Sequence, residues 1–502
     1  MIALDAAEPS LVERWIREDR LPNLARLRER GGYGRLASSA DLLAGSIWPS
    51  FHTGTLPGDH AHHHFIQWNK ERMALVRPTS DWLPQPVFWR DAAAAGRRTV
   101  AVDVPSVYAP EPFNGVEIYG WCNTDLLAPA GSYPPETSEW ARRTFGDSRM
   151  GDEVYSTERA EALRRLHDDL VRWTGQTTRL ATALMERESW DFFIVNLSAT
   201  HRAGHKLWGR TCQGMEMGTD DEPGEVLESV YAACDRAVGR LLETGEATHT
   251  LVFSLHGMGP NTSRIAVLPE MLDRILTGRS GQSQRTGLLG RLRARVPNEW
   301  RSRVKSLLPV RVQDRLTVFW RLGGVDLATS TAFPLVADLQ GYIRINVRGR
   351  EADGVVEPGA EYAALCERIV TGLESFADAD TGEPVVAAVV RADESYPDGA
   401  RRQDLPDLIV RWSSSPACRH RAIVSPMHGS IAWPCPGSHP DGRTGNHRGE
   451  GFLLAEGEGV EPGSSIVGAH IVDLAPTVFA LLGLPPRSEW TGAPLSFAGG
   501  AR

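Results

Sequence analysis

The stretch FFIVNLSATHRAGHKLW, Phe192 to Trp208, decides how this chain is read. An apolar run stops, and two histidines four residues apart, His201 and His205, follow at once. A short continuous apolar run suits a strand buried on both faces, as in a parallel sheet. Histidines four apart on a helix share one face. The segment therefore reads as a strand followed by a helix that presents two imidazoles near the strand's carboxyl end. They are either a metal clamp or two surface histidines.

The same alternation extends outward. Upstream, "IALDAA" reads as a short strand ending in Asp5, and "SLVERWIREDRLPNLARLRERG" as a helix stopped by Gly31. "RTVAVDVP" reads as a strand closed by Pro105. From Leu163 a helical apolar face leads into "WDFFIVNLS". Downstream, the helix "EVLESVYAACDRAVGRLLET" leads into the strand "HTLVFSLHGMG". Strand and helix in alternation predict an α/β fold with a mostly parallel sheet and helices on both faces. The pattern breaks near residue 265. A basic stretch follows, with ten Lys/Arg against two acids between Gly278 and Leu316, read as a solvated helical excursion. Strands and one helix after it predict an inserted α+β subdomain over 265–425. The tail, with "GEGFLLAEG" and "HIVDLAPTVFALLGLP", returns to α/β, so 1–264 and 426–502 form the expected core.

The chain of 502 residues carries a formal charge of −9, with 41% apolar and 23% charged residues. That balance is ordinary for a globular protein and lacks the basic footprint of a nucleic-acid binder. No run of eighteen apolar residues exists, so no membrane span is expected. "MIALDAAEPS" does not read as a signal peptide. Six scattered cysteines read as free buried thiols and point to the cytoplasm.

In parallel α/β sheets, function gathers at the carboxyl ends of the strands. Asp5, His201, His205 and His256 all fall there, and His447 precedes a late strand. The loop "LLAGSIWPSFHTGTLPGDHAHHHF" adds hydroxyls and imidazoles. Carboxylate and imidazole are zinc ligands in hydrolytic sites. Each residue alone also has a structural reading, as a helix cap, a turn former or a satisfied histidine.

Several segments resemble the alkaline phosphatase superfamily, in its type I phosphodiesterase/nucleotide pyrophosphatase-like branch. They are "LDAAEPSLVERWIREDRLPNLARLRERGGYGRLAS", "SIWPSFHTGTLPGDHA", "HRAGH", "FSLHGMGP", "GNHRGEGFLLAEGEGVEPG" and "VDLAPTVFALLGLPPRSEWTGAPL". The resemblance implies a three-layer core and a site of two metals around a hydroxyl nucleophile. It places His201, His205 and His447 at the first metal, His201 standing where an aspartate is usual. It places Asp5, the nucleophile oxygen and His256 at the second, with Leu255 where the branch has an aspartate. The nucleophile spacing lands on Ala44, and Ser46 is the hydroxyl expected in its place. Asn261, Arg264, His62 and His64 are expected to meet the substrate. The implied cofactor is a divalent metal, zinc, as one or two ions. The implied reaction is hydrolysis of a small phosphoester, phosphodiesterase-like, through Ser46 and metal-activated water. The alternatives are a transferase, mutase or sulfoester reaction on the same fold, or a catalytically inactive member that binds metal or ligand.

Overall fold

The computed structural model describes residues 1–79, 82–83, 86–122, 129–146, 160–209, 224–278, 329–437 and 439–499. Eight strands form the central sheet. Their order is Gly32–Ala37, Glu450–Gly457, His249–Ser254, Ile2–Leu4, Phe192–Leu197, Thr99–Val102, Gly115–Tyr119 and Gly131–Tyr133. The five from His249–Ser254 to Gly115–Tyr119 run parallel. The remaining strands at the two edges are antiparallel to their neighbours.

The apolar run at Phe192 is explained by two-sided burial. Phe193, Val195 and Leu197 enter one apolar cluster, whereas Phe192 and Ile194 enter the other. Alternate side chains of a strand point to opposite faces, so a strand covered on both sides must be apolar throughout. Full burial of each such side chain contributes about 1.5–3 kcal/mol. Helices Pro9–Arg17, Pro22–Arg30, Ala160–Arg187, Ala199–Leu207 and Glu225–Thr244 cover the first face. Helices Ile47–Thr53, Phe88–Ala94 and Leu474–Leu481 cover the second, which completes three layers.

The stretch expected as one helix from Ser10 to Gly31 is two. Pro22 starts the second helix, and Asp19 turns the chain with φ +56°. Proline lacks the N–H that would continue the first helix and clashes with its preceding turn.

The inserted region builds a four-stranded antiparallel sheet in the order Ala332–Leu335, Gly341–Ile345, Leu408–Trp412 and Val386–Arg391. It packs with helices Leu268–Thr277 and Ala360–Glu374 around Met271, Ile343, Ile369, Phe376 and Val410. Trp68 Nε1 donates to Glu351 at 2.6 Å and ties the sheet to the N-terminal part. The expected end of this unit at residue 425 cuts a hydrogen-bonded hairpin, Ala422–Ser425 with Gly429–Ala432. We therefore propose an end beyond Trp433, which shares the inserted region's apolar cluster. The basic stretch lies outside the described residues, Gly278 apart.

Five cysteines are described, and none of these is in a disulfide. Cys122, Cys234 and Cys366 are buried as expected, whereas Cys418 and Cys435 are partly exposed. Among the described residues, no helix is long and apolar enough to cross a membrane.

Candidate metal centre

Parallel strands deliver the residues at one sheet edge. Asp5 follows Ile2–Leu4, and its backbone N–H donates to Leu197 O at 3.1 Å. Ala6 turns the chain with φ +54°. Thr200 Oγ1 donates to Asp5 O at 2.6 Å, which joins this turn to helix Ala199–Leu207. That helix starts directly beyond strand Phe192–Leu197 and puts His201 and His205 on one face. His447 comes from the short strand Gly445–Arg448, which pairs antiparallel with Gly257–Pro260.

Two glycines let this strand pair press against the helix. A Cβ on Gly204 would sit 2.6 Å from Met258 Cγ, and one on Gly445 would sit 2.2 Å from Gly204 O. Thr444 N donates to His205 O at 2.8 Å and closes the contact. The middle of "HRAGH" is therefore small because the Met258 side chain lies against it.

The nitrogen geometry fixes the tautomers. His205 Nδ1 lies 3.0 Å from Gly445 O, and a carbonyl only accepts, so Nδ1 carries the proton. His201 Nδ1 lies 2.9 Å from Asp5 Oδ2 and donates to it by the same reasoning. Each ring then turns an Nε2 lone pair inward, and the two Nε2 atoms lie 3.0 Å apart. Two facing lone pairs repel unless a proton or cation lies between them. Ligand atoms of His201, His205 and His447 all fall within 4.8 Å of one another. His447 Nδ1 is buried with no hydrogen-bond partner. His256 stacks on His447 with centroids 4.7 Å apart, and neither of its ring nitrogens has a hydrogen-bond partner.

Burial pushes His205, His256 and His447 well below the usual histidine range, so all three are neutral. The Arg443 guanidinium acts in the same direction on His205 and His447. Neutral imidazole is the form that binds metal. Burial alone would raise the Asp5 carboxyl, but His201, His256 and the Trp48 N–H outweigh it and hold it below its ordinary value. Three convergent imidazoles with a carboxylate behind one of them fit a divalent ion.

Other residues singled out in the sequence fall elsewhere. Ser46 is fully buried, and its hydroxyl donates to Leu43 O at 2.6 Å and meets Ser39 Oγ at 2.7 Å. Among the described residues it has no hydrogen bond to Asp5 or to the histidines. The 3₁₀ turn Ala44–Ser46 sets this direction by folding the side chain back on its own loop. His62 and His64 are buried rather than lining an open entrance. Asn261 ties two segments together, with Nδ2 donating to Arg443 O at 3.1 Å and Oδ1 accepting from Ser263 N at 3.0 Å.

Arg264 was expected to meet the substrate, but it is fully buried and spends its donors inside the protein. They go to His420 Nε2 at 2.8 Å, Thr262 O at 2.7 Å, Ser413 O at 3.2 Å, and Ser415 O and Oγ at 3.0 and 2.8 Å. His420 continues the chain to Asp378. Arg264→Leu is expected to lower stability by about 3–5 kcal/mol, because it strands several buried acceptors. Urea unfolding checks this, and a loss below about 1 kcal/mol would contradict the structural role.

Two residues were missed in the sequence. Trp48 donates Nε1–H to Asp5 Oδ1 at 3.2 Å. Arg443 is the cation beside His205 and His447, with Nη1 3.6 Å from Asp338 Oδ1. Its position four residues before His447, in "RTGNH", was the available signal.

The three imidazoles lie at the carboxyl edge of a three-layer, mostly parallel sheet of alkaline-phosphatase-like architecture, and comparison with known proteins gives the class. The profile of the family "type I phosphodiesterase / nucleotide pyrophosphatase" matches residues 1–414, and the chain belongs to that family. It is a phosphoric ester hydrolase of a metal-dependent family. The match stops before strand Gly445–Arg448, so His447 lies beyond it. Phosphonoacetate hydrolase from Sinorhizobium meliloti 1021, solved in complex with phosphonoformate, is similar in fold. Its TM-score is 0.50 at 14% identity, over 94% of this chain and 93% of that one. Human ectonucleotide pyrophosphatase / phosphodiesterase 5 aligns with 98% of this chain and 96% of its own, at 10% identity and TM-score 0.47. The search of curated proteins finds no match.

Proposed function

We propose that the chain hydrolyses a small-molecule phosphodiester at a zinc-type centre held by His201, His205 and His447. The observation that supports this reading is the pair of facing Nε2 lone pairs 3.0 Å apart, with the unpartnered Nδ1 of His447 beside them. A divalent ion held there supplies Lewis acidity towards a phosphoryl oxygen.

The chain's own residues do the rest. Asp5 fixes the ring and tautomer of His201. Arg443 offers positive charge beside the imidazoles to a phosphate oxygen. The attacking group in this reading is water, because the Ser46 hydroxyl is committed to Leu43 and Ser39. Water oxygen bonds to phosphorus, the ester P–O bond breaks, and the water proton passes to the departing ester oxygen, which leaves as the alcohol. A cytoplasmic setting is in keeping with described cysteines that form no disulfide.

The test is turnover of a chromogenic phosphodiester by the full chain, before and after chelation and zinc return. Activity is expected to vanish with chelator and to come back with zinc. Ser46→Ala is expected to keep its rate within about threefold of wild type. Activity untouched by chelation would remove the metal from the mechanism, and a dead Ser46→Ala protein that still binds zinc would restore the serine as nucleophile.

A further inference from the structure

Building on the reading of the three imidazoles as a metal site, we infer that the chain holds one divalent ion. Asp5 acts on that ion through His201 rather than as a ligand to a second one.

Both Asp5 oxygens face donors. Oδ2 accepts from His201 Nδ1 at 2.9 Å, and Oδ1 accepts from Trp48 Nε1 at 3.2 Å. An indole N–H presents its positive end, so a cation beside Oδ1 would be repelled by it. The carboxylate thus stands behind an imidazole whose other nitrogen points into the centre, the arrangement by which outer carboxylates orient metal-binding histidines.

The far side of Asp5 lacks the donors that a second ion needs. Leu255, immediately before His256, is 2% exposed and packs in an apolar cluster with Trp48, Phe51, Phe253 and Leu36. Ala44 offers a methyl group, and the Ser46 hydroxyl turns to Leu43 O and Ser39 Oγ. His256 alone remains, with the spare lone pairs of Asp5. A catalytic zinc site takes three protein ligands. Among the described residues, the one cluster of at least three metal-type side chains is His201, His205 and His447.

The experiment is zinc and cobalt titration of the metal-stripped full-length chain. It is read by elemental analysis after dialysis, by competition with a chromophoric chelator, and by the visible spectrum of bound cobalt. Wild type is expected to hold one ion per chain. Asp5→Asn is expected to hold one ion as well, about 10–100-fold more weakly, with shifted cobalt bands. His205→Ala is expected to hold none.

Two ions in wild type overturn the inference and leave the three-imidazole site standing. A lower ion count in Asp5→Asn at saturating zinc overturns it too, because Asp5 would then be a ligand. So does unchanged affinity in Asp5→Asn, because Asp5 would then not act through His201. No ion in wild type removes the metal site itself, and the inference with it. The wild-type count depends on no variant folding.

Discussion

His205→Ala is expected to lose zinc and to hydrolyse a chromogenic phosphodiester on the order of 10³-fold more slowly, even with zinc added. The metal's share of transition-state stabilisation is several kcal/mol, and about 1.4 kcal/mol is tenfold in rate. His205 holds a central place among the imidazoles. Its Nε2 faces His201 Nε2 at 3.0 Å, its ring lies 4.9 Å from that of His447, and its Nδ1 anchors to Gly445 O. Removing it takes away one donor and loosens the strand that carries another. The lost hydrogen bond strands a carbonyl and costs about 1–3 kcal/mol of stability. Melting wild type and variant with chelator present isolates that cost. Steady-state kinetics with zinc returned then reads the chemistry. A variant that keeps both zinc and rate would show that the imidazoles are structural.

The second large effect is acid sensitivity. His62 and His63 are buried, and burial pushes both down to about 3. In the unfolded chain a histidine titrates near 6.5. Below that pH the unfolded state takes protons that the folded state refuses. The stability contributed is complete above about 6.5, is lost as pH falls, and continues to fall until about 3. For His62 and His63 alone the loss between pH 7.5 and 5.5 is roughly 3 kcal/mol. His52, His60, His205, His256 and His447 are lowered in the same way and add to it. Asp91, raised by burial to about 6, opposes the trend. Its effect is at most about 1 kcal/mol before solvent screening reduces it. Urea unfolding of the metal-stripped chain across this range should show a steep fall on the acid side. A flat profile would mean that these histidines reach water in the folded state.

The layered core was legible because both sides of the sheet demand the same thing of a strand. Phe192 to Val195 can be continuously apolar only if each face is covered. The placement of Asp5, His201 and His256 near strand ends followed from the same pattern, since a parallel sheet sends its strand ends to one edge. What a side chain does after leaving the backbone was not legible. Arg264 follows a strand in the sequence as plausibly as any anion-binding arginine, yet it turns inward to Ser413, Ser415 and His420. Ser46 has the right chemistry, but a 3₁₀ turn directs its hydroxyl to Leu43 O. Trp48 looks like a core residue and also covers one oxygen of Asp5. These outcomes depend on partners from a few residues to about 150 residues away, and no local periodicity encodes them.

The strand Glu450–Gly457 fills the gap between Gly32–Ala37 and His249–Ser254, and His447 arrives just ahead of it. His205 and Gly445, which touch in the finished molecule, are 240 residues apart. A ribosome adding roughly 5–20 residues per second takes roughly 12–50 s to cover that interval. Throughout it, the nascent chain carries two of the three imidazoles and leaves two sheet edges unpaired, each a template for pairing with another chain. On the proposed reading, metal capture thus belongs to the completed chain, and the strand that accompanies the third imidazole also removes the hazard of edge-to-edge association.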